Sequence, residues 1–309
     1  MNDLRELTSG REDSEVPPSG FWVHPDEIRR FQSLSWQSMQ DLLLETYPGS
    51  MLRRREGLHG WDNVRIAIPA RSGQPASIAF LKRHRAEGRV AMAGWKEAWA
   101  AKHCASMGVP CGEVVAVGLC RHGIPTPDGR AYSSLFLSGL VGEGLNVYDA
   151  ILSLEENAQQ EQRLREILNA AAVTTARMHS AGLFHGDCHF QHFILENRSP
   201  DPLQVRLIDL QQLRRIALRK SLYFWLKDMA QLRYSMTRLG IYSQWAEFWY
   251  DRYSEHLESQ QLILWMNSWR RRLIDVRGDI RLFRAAGLRL GKLRFKEAGE
   301  ILSHRFRSA

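Results

Sequence analysis

The apolar positions of this chain change period near its middle. At 64–68 the run Val64-Arg65-Ile66-Ala67-Ile68 alternates with a period of two, as a half-buried strand does. The run Ala76-Ser77-Ile78-Ala79-Phe80-Leu81-Lys82 reads as a second strand, and Gly57, Gly60, Pro69, Gly73 and Pro75 mark turns around the two. A helix is predicted over 94–107, stopped by Gly108 with Pro110 just beyond. Two further strands are predicted over 114–119 and 131–141. Upstream, 21–47 mixes aromatic and charged residues and predicts a helix with Trp36, Met39, Leu43 and Leu44 on one face.

After Gly144 the pattern turns helical. Leu164, Ile167, Leu168, Ala171, Ala172, Ala176 and Met178 recur at helical spacing, and Gly182 ends that run. A loop region at 185–196 follows, then a strand over 204–209, then helices rich in Trp and Arg from 220 onward. No internal repeat or low-complexity tract is present in the sequence. The pattern predicts an α+β chain with a small antiparallel-sheet lobe holding one helix and a larger helical lobe. Its divisions are a flexible segment over 1–20, punctuated by Gly10, Pro17, Pro18 and Gly20, an N-lobe over 21–141 and a C-lobe over 142–309.

Composition narrows the class. The 309 residues are 44% apolar and 25% charged, as in soluble globular proteins. No window approaches the ~18 apolar residues of a membrane span. The polar N-terminus has no apolar signal core, so a cytoplasmic protein is expected. Cys104, Cys111, Cys120 and Cys188 include no C-x-x-C pair, which predicts free thiols and no structural zinc site. The net charge is +8, and residues 269–309 carry all of the excess, with twelve Lys/Arg against four Asp/Glu. This stretch is either a solvated helical face or a surface for an anionic partner such as membrane headgroups or a phosphorylated glycolipid. No nucleic-acid-binding motif accompanies it.

The chemistry concentrates in His185-Gly186-Asp187-Cys188-His189-Phe190-Gln191-His192-Phe193-Ile194-Leu195, with Leu207-Ile208-Asp209-Leu210 placing a second carboxylate twenty-two residues after Asp187. Phosphoryl transfer passes through a loose transition state, so positioning and charge neutralisation do most of the work. It needs one carboxylate to orient the acceptor hydroxyl and another to hold a metal on the phosphates. It also needs a Lys for the phosphates and a Glu to hold that Lys. Two strands joined by a turn would aim Asp187 and Asp209 at one cleft. Lys82 ends a predicted strand and Glu97 lies early in the next helix, fifteen residues on, which is the arrangement of the kinase Lys–Glu ion pair.

With these residues the chain resembles the bacterial lipopolysaccharide kinases, the Kdo/heptose kinase family of protein-kinase-like fold. The resemblance runs over about residues 50–240. It includes Ala176-Arg177-Met178-His179-Ser180-Ala181-Gly182, the 185–195 loop, Ile208-Asp209-Leu210 and Trp225-Leu226-Lys227-Asp228-Met229-Ala230-Gln231-Leu232. It implies a two-lobed kinase-like fold that binds ATP and Mg²⁺ and phosphorylates a heptose or Kdo residue of the lipopolysaccharide inner core. Asp187 is implied as catalytic base, and Asp209 with His192 as metal ligands. His185 and Asp228 are implied as structural residues at the site. Lys82 and Glu97 are implied on the phosphates, and Ser138, Gly139 and Val141 at the adenine hinge.

The sequence departs from the protein-kinase pattern in several places. His192 stands where protein kinases carry a metal-binding Asn, and the lipopolysaccharide kinases accept His there. The D-F-G motif reads Asp209-Leu210-Gln211, and no G-x-G-x-x-G is present, Gly57 and Gly60 being a loose substitute. Only nineteen positions separate Asp209 from Asp228, which leaves little room for a peptide-docking platform. The rival readings are a kinase acting on another small molecule or a protein, and a degenerate kinase fold serving as a binding or stress-response module. A zinc or iron hydrolase built on His185, Asp187, His189 and His192 would leave Lys82, Glu97 and Asp209 without a role. The aromatic run Trp245, Phe248, Trp249, Tyr250 and Tyr253 reads as helix core, with a sugar-stacking surface as the alternative. Cys188 and His189 read as packing residues.

Overall fold

A computed structural model gives the chain two compact units. Met1–Gly144 with Leu207–Gln211 form the first, and Leu145–Arg206 with Gln212–Ala309 the second. The structure describes residues 2–3, 19–44, 51–55, 60–70, 76–85, 92–139, 145–155, 159–196, 203–217 and 221–274. Gly57, Gly73, Pro75, Val141 and most of the 1–20 segment lie outside these residues, as do the side chains of the basic stretch from Arg270 on.

The first unit is built on one seven-stranded sheet. Its strands are β1 (Asn2–Asp3), β2 (Gly20–Val23), β3 (Met51–Arg55), β4 (Trp61–Ile68), β5 (Ser77–Arg85), β6 (Val114–Pro125) and β7 (Ala131–Gly139), in the spatial order β1-β2-β6-β7-β5-β4-β3. Every pairing is antiparallel except that of β1 with β2, which is parallel. The period-two pattern decides which face of β4 is buried. Val64, Ile66 and Ile68 enter the core while Arg65 and Ala67 stay at the surface. Ala79 and Leu81 of β5 join the same core, with Phe31, Trp36, Met39, Leu42 and Leu43.

The sequence predicts a helix within 21–47 and another, the one helix of the strand-rich lobe, over 94–107; the described residues hold three in this unit. The helices α1 (Ile28–Ser33) and α2 (Met39–Leu44) precede α3 (Ala93–Ser106), which fills the predicted 94–107. The single helix expected over 21–47 is divided because Ser35 takes a left-handed φ of 62°. Trp36 therefore lies between helices, and Leu44 is 43% exposed while Leu42 takes the buried position. Gly94 lets α3 approach β7 closely, because a Cβ there would lie 2.7 Å from the Leu135 carbonyl oxygen. The strand expected over 131–141 is described to Gly139.

The second unit is mainly helical. Its elements are α4 (Val147–Leu152), α5 (Gln160–Ser180), β8 (Leu183–Phe184), β9 (Phe193–Glu196), β10 (Gln204–Leu207), β11 (Arg214–Arg215), α6 (Leu222–Arg238), α7 (Tyr242–Glu255) and α8 (Gln260–Ile274). β9 pairs with β10 and β8 with β11, which brackets the 185–192 loop between two small sheets. Trp225, Trp249, Tyr250 and Tyr253 are buried in the helical core. Trp245 and Phe248, on the same helix, are half-buried and flank the Arg165 guanidinium at 4.9 and 5.3 Å. Among the described residues no helix is long and apolar enough to cross a membrane.

Candidate active site

In the first unit, the pleat of β5 sends Ala79 and Leu81 into one core and Lys82 to the opposite side of the strand, where it meets α3. The Lys82 Nζ donates to Glu97 Oε1 at 3.1 Å, to Glu97 Oε2 at 3.0 Å and to Asp209 Oδ1 at 2.9 Å. Gln211 Nε2 donates to Glu97 Oε2 at 3.2 Å. The Glu97 side chain is 4% exposed and that of Asp209 38% exposed.

Burial alone would lower the proton affinity of Lys82, but Glu97 and Asp209 outweigh it and hold the ammonium above its usual range. Glu97 is pushed up by burial, Lys82 pulls it down, and Asp209 raises it again. The net shift is upward, with burial its largest cause, and formally two carboxylates face one ammonium. His84, two residues along the same face of β5, is held neutral, its pKa pushed down to about 3 by burial and then by Lys82.

Asp209 reaches this cluster through its backbone. The expected strand over 204–209 stops at Leu207 because Asp209 adopts a left-handed φ of 57°. Such a conformation costs about 1–3 kcal/mol for a non-glycine residue, and it recurs at functional sites. Leu207 is tied to the first unit by its N–H to Pro110 O at 3.0 Å and by Gly112 N–H to Leu207 O at 2.9 Å. The sequence division puts Asp209 with the helical lobe, whereas Leu207–Gln211 belongs to the first unit.

In the second unit, α6 holds the Asp187 loop with residues at i, i+3 and i+7 of one face. Asp228, buried completely, accepts the N–H of His185 at 2.7 Å through Oδ2 and that of Gly186 at 2.8 Å through Oδ1. Gln231 accepts the Cys188 N–H at 2.8 Å, and Ser235 accepts the Phe190 N–H at 3.2 Å. Gly186 needs to be glycine: its φ is +75°, and a Cβ would lie 2.9 Å from Gln212 O.

Behind Asp228 runs a second buried chain of hydrogen bonds. Trp225 Nε1 donates to the Tyr253 hydroxyl at 2.8 Å, so the Tyr253 O–H donates to His179 Nδ1 at 2.7 Å. His179 Nε2–H then donates to Asp228 Oδ2 at 3.3 Å. Burial holds the Tyr253 hydroxyl well above the usual tyrosine range, keeping it a donor.

The histidines of the loop brace it. His192 Nδ1 donates to the Asp187 carbonyl at 2.7 Å, and His185 Nδ1 accepts the Asp187 N–H at 3.3 Å. The two rings stack at 5.5 Å with 6° between their planes. His189 approaches Ser235 Oγ at 3.4 Å through Nδ1 and Asp187 Oδ1 at 3.5 Å through Nε2. Cys188 is fully buried and burial raises its thiol, which suits a packing residue.

The structure thus brings Lys82, Glu97 and Asp209 together in one unit, and His185, Asp187, His192 and Asp228 in the other. Ser138 pairs with Phe80 and Val114 near the end of β7, and Gly139 donates its N–H to Glu113 O at 3.1 Å. Sequence reasoning missed Gln211, Gln231, Ser235, His179 and Tyr253. Gln231 and Ser235 carried a usable signal, since they continue the helical face that begins at Asp228. Among the described residues no group of three or more His, Cys, Asp or Glu side chains gathers as a metal site. The excess negative charge at Lys82 and the oxygen donors of Asp209 suit a hard divalent cation such as Mg²⁺.

Residues 139–252 match the model of the lipopolysaccharide kinase (Kdo/WaaP) family. Among solved structures, WaaP in complex with acyl carrier protein is similar, with 19% identity over 82% of this chain and 99% of that chain and a TM-score of 0.53. The LegK7 effector kinase of Legionella pneumophila shares 13% identity over 62% of this chain and 37% of its own, with a TM-score of 0.37. No curated protein matches the sequence. The family match over residues 139–252 bears out the resemblance seen in the sequence, and the likeness to WaaP bears out the kinase-like α+β fold.

Proposed function

We propose that this chain transfers the γ-phosphoryl group of ATP to a hydroxyl of a heptose, or of a Kdo residue, in the lipopolysaccharide inner core. The observation that carries the reading is the Lys82 ammonium held between Glu97 and Asp209. A buried ammonium fixed by a helix Glu is the device that places a point charge on nucleotide phosphates. Asp187 is the group that orients the acceptor hydroxyl, on a loop whose backbone leaves it little freedom to drift. Asp209 is assigned as the residue that would hold Mg²⁺, and His192, which stands where protein kinases carry a metal-binding Asn, is assigned with it. When bound, the ion neutralises charge on the phosphates. Ser138, Gly139 and Val141 are assigned to the adenine.

A phosphorylated core lipid would be met at an anionic membrane face on the cytoplasmic side. The twelve Lys/Arg of residues 269–309 suit peripheral contact there. Because WaaP was solved with an acyl carrier protein, such a carrier is the protein partner to test by titration against this chain. The experiment that tests the function is ADP release from Mg-ATP with and without core oligosaccharide stripped of its phosphates. Acceptor-dependent release that is lost in Asp187→Ala supports the reading. ATP binding without release for any sugar acceptor would overturn it in favour of a binding module or another acceptor.

A further inference from the structure

We infer that Arg214 is a specificity-determining residue on the acceptor side: its guanidinium takes a carboxylate of the anionic core sugar, and the exposed ring of Tyr223 lies nearby for the sugar face. The inference deepens the kinase reading above and rests on it for the identity of the acceptor. Residues 212–224 carry Arg214, Arg215, Arg219 and Lys220 and no Asp or Glu. Charge of one sign in a short segment attracts an anion.

This segment is fastened alongside the loop that bears Asp187. Ile216 donates its N–H to Gly182 O at 3.0 Å, Arg215 pairs with Leu183, and Arg214 pairs with Phe184. Gln212 O lies where a side chain on Gly186 would have to go. Leu183 and Phe184 are fully buried, so the strand beside the two arginines is fixed. Phe184 precedes Asp187 by three residues, which span at most about 11 Å, and paired strands lie about 5 Å apart. An acceptor unit at Asp187 therefore has its neighbouring sugar within reach of an arginine on β11.

Arg214 differs from the other arginines that lie over aromatic rings. Arg83, Arg165 and Arg252 are each met by a carboxylate, Asp62 at 3.0 Å, Glu161 at 2.8 Å and Glu255 at 2.8 Å. Arg233, over Tyr242, is buried. Arg214 lies over Phe224 at 5.7 Å, is exposed, and has no carboxylate partner among the described residues. A ring face steadies a guanidinium without using its N–H donors, which leaves the fork open to a carboxylate. Phe224 also meets Tyr223 edge to face at 5.2 Å, and Tyr223 is 41% exposed. A planar fork near an exposed aromatic ring suits a sugar acid: the fork takes the carboxylate in two hydrogen bonds and the ring covers a C–H face. Kdo is such an acid, so core stripped of its phosphates keeps carboxylates as its charge. Successive strand residues point to opposite faces, so Arg215 carries the same charge on the other side of β11.

That alternation supplies the control. Arg214→Gln and Arg215→Gln each remove one positive charge and keep most of the stem. The probes are core oligosaccharide stripped of its phosphates and the same oligosaccharide with its carboxylates reduced to alcohols. Calorimetric Kd values for the full chain are measured alongside kcat and KM for ADP release. Arg214→Gln is expected to raise the Kd and the acceptor KM by about tenfold, as the loss of a charge-assisted pair at an exposed site does. KM for ATP stays within about twofold of wild type, because the nucleotide contacts are untouched. Arg215→Gln leaves every value within about twofold, since its charge lies on the other face. On the reduced oligosaccharide, wild type and Arg214→Gln bind alike.

An unchanged Kd in Arg214→Gln overturns the inference. An equal loss in Arg215→Gln overturns it too, in favour of diffuse charge. Weaker binding to phosphatidylglycerol vesicles with the oligosaccharide Kd unmoved overturns it in favour of a membrane contact. Carboxylate-dependent binding through Arg214 without any ADP release would sink the kinase reading and leave the site standing. Acceptor-dependent release that neither substitution alters would do the reverse.

Discussion

The Lys82 cluster of the first unit and the Asp187 loop of the second are held by opposite means. Around Lys82 the contacts run from side chain to side chain and every principal member is charged. Around Asp187 the contacts run from α6 side chains to backbone N–H groups, and the Asp187 carboxylate is touched by a neutral amide. Charge on charge fixes a point in space strongly, but it depends on the balance of charge and on what binds there. Backbone hydrogen bonds fix the shape of a loop and leave its functional side chain electrostatically free to act. The difference teaches that the geometry of the Lys82 cluster depends on its charge balance, whereas that of the Asp187 loop depends on backbone hydrogen bonds to one helix face.

The largest effect should come from the residue each scaffold serves. Asp187→Ala is expected to lower kcat by about 10²–10⁴-fold, the range of a lost general base, while leaving the melting curve near that of wild type. Single-turnover phosphate transfer checks it, and near-normal turnover would remove Asp187 from the chemistry.

Glu97→Gln should split activity from stability. The ammonium is then held by an amide and Asp209, and turnover falls about a hundredfold through misplacement. Stability follows the opposite course. Glu97 has a folded-state pKa above its free value of 4.5, so its contribution is full below that pH and is lost as the pH rises through the folded value. Removing the carboxylate removes that loss. Urea midpoints for Glu97→Gln should therefore gain on wild type between pH 4.5 and pH 7. A midpoint that falls behind instead would mean that the Lys82–Glu97 pair is a net stabiliser.

In the other half, Asp228→Ala should destabilise by about 3–5 kcal/mol, since it strips the acceptor from two buried N–H groups and from His179. Asp228→Asn keeps one acceptor oxygen and should cost about half as much. Equal costs for the two would show that the loop is held elsewhere. The smallest change is Gln211→Leu, which removes one hydrogen bond from Glu97 and should cost about 1 kcal/mol by urea denaturation. A larger cost would move Gln211 from helper to essential brace.

How legible each half was in the sequence follows from the same contrast. Lys82 and Glu97 were readable because a strand and the start of a helix fix their faces, and periodicity predicts faces, although β5 runs three residues past Lys82 to Arg85 and does not end there as expected. Asp209 was readable by spacing, but its association with the first unit was not, because that depends on hydrogen bonds from Leu207 to Pro110 and Gly112 nearly a hundred residues away. The 21–47 region misled for a local reason: the left-handed Ser35 interrupts what reads as one helix.

By itself the sequence determined the alternating strands, the long helices and the order of charged residues, because these follow from short-range periodicity and from chemistry that few residue types can perform. Tertiary structure alone decided the partners. That Gln231 meets Asp187, that His179 and Tyr253 stand behind Asp228, and that Asp209 shares an ammonium with Glu97 are consequences of packing between elements distant in the chain. A polar side chain on a buried helix face must find a hydrogen-bond partner, and sequence shows the need while only the fold supplies the partner.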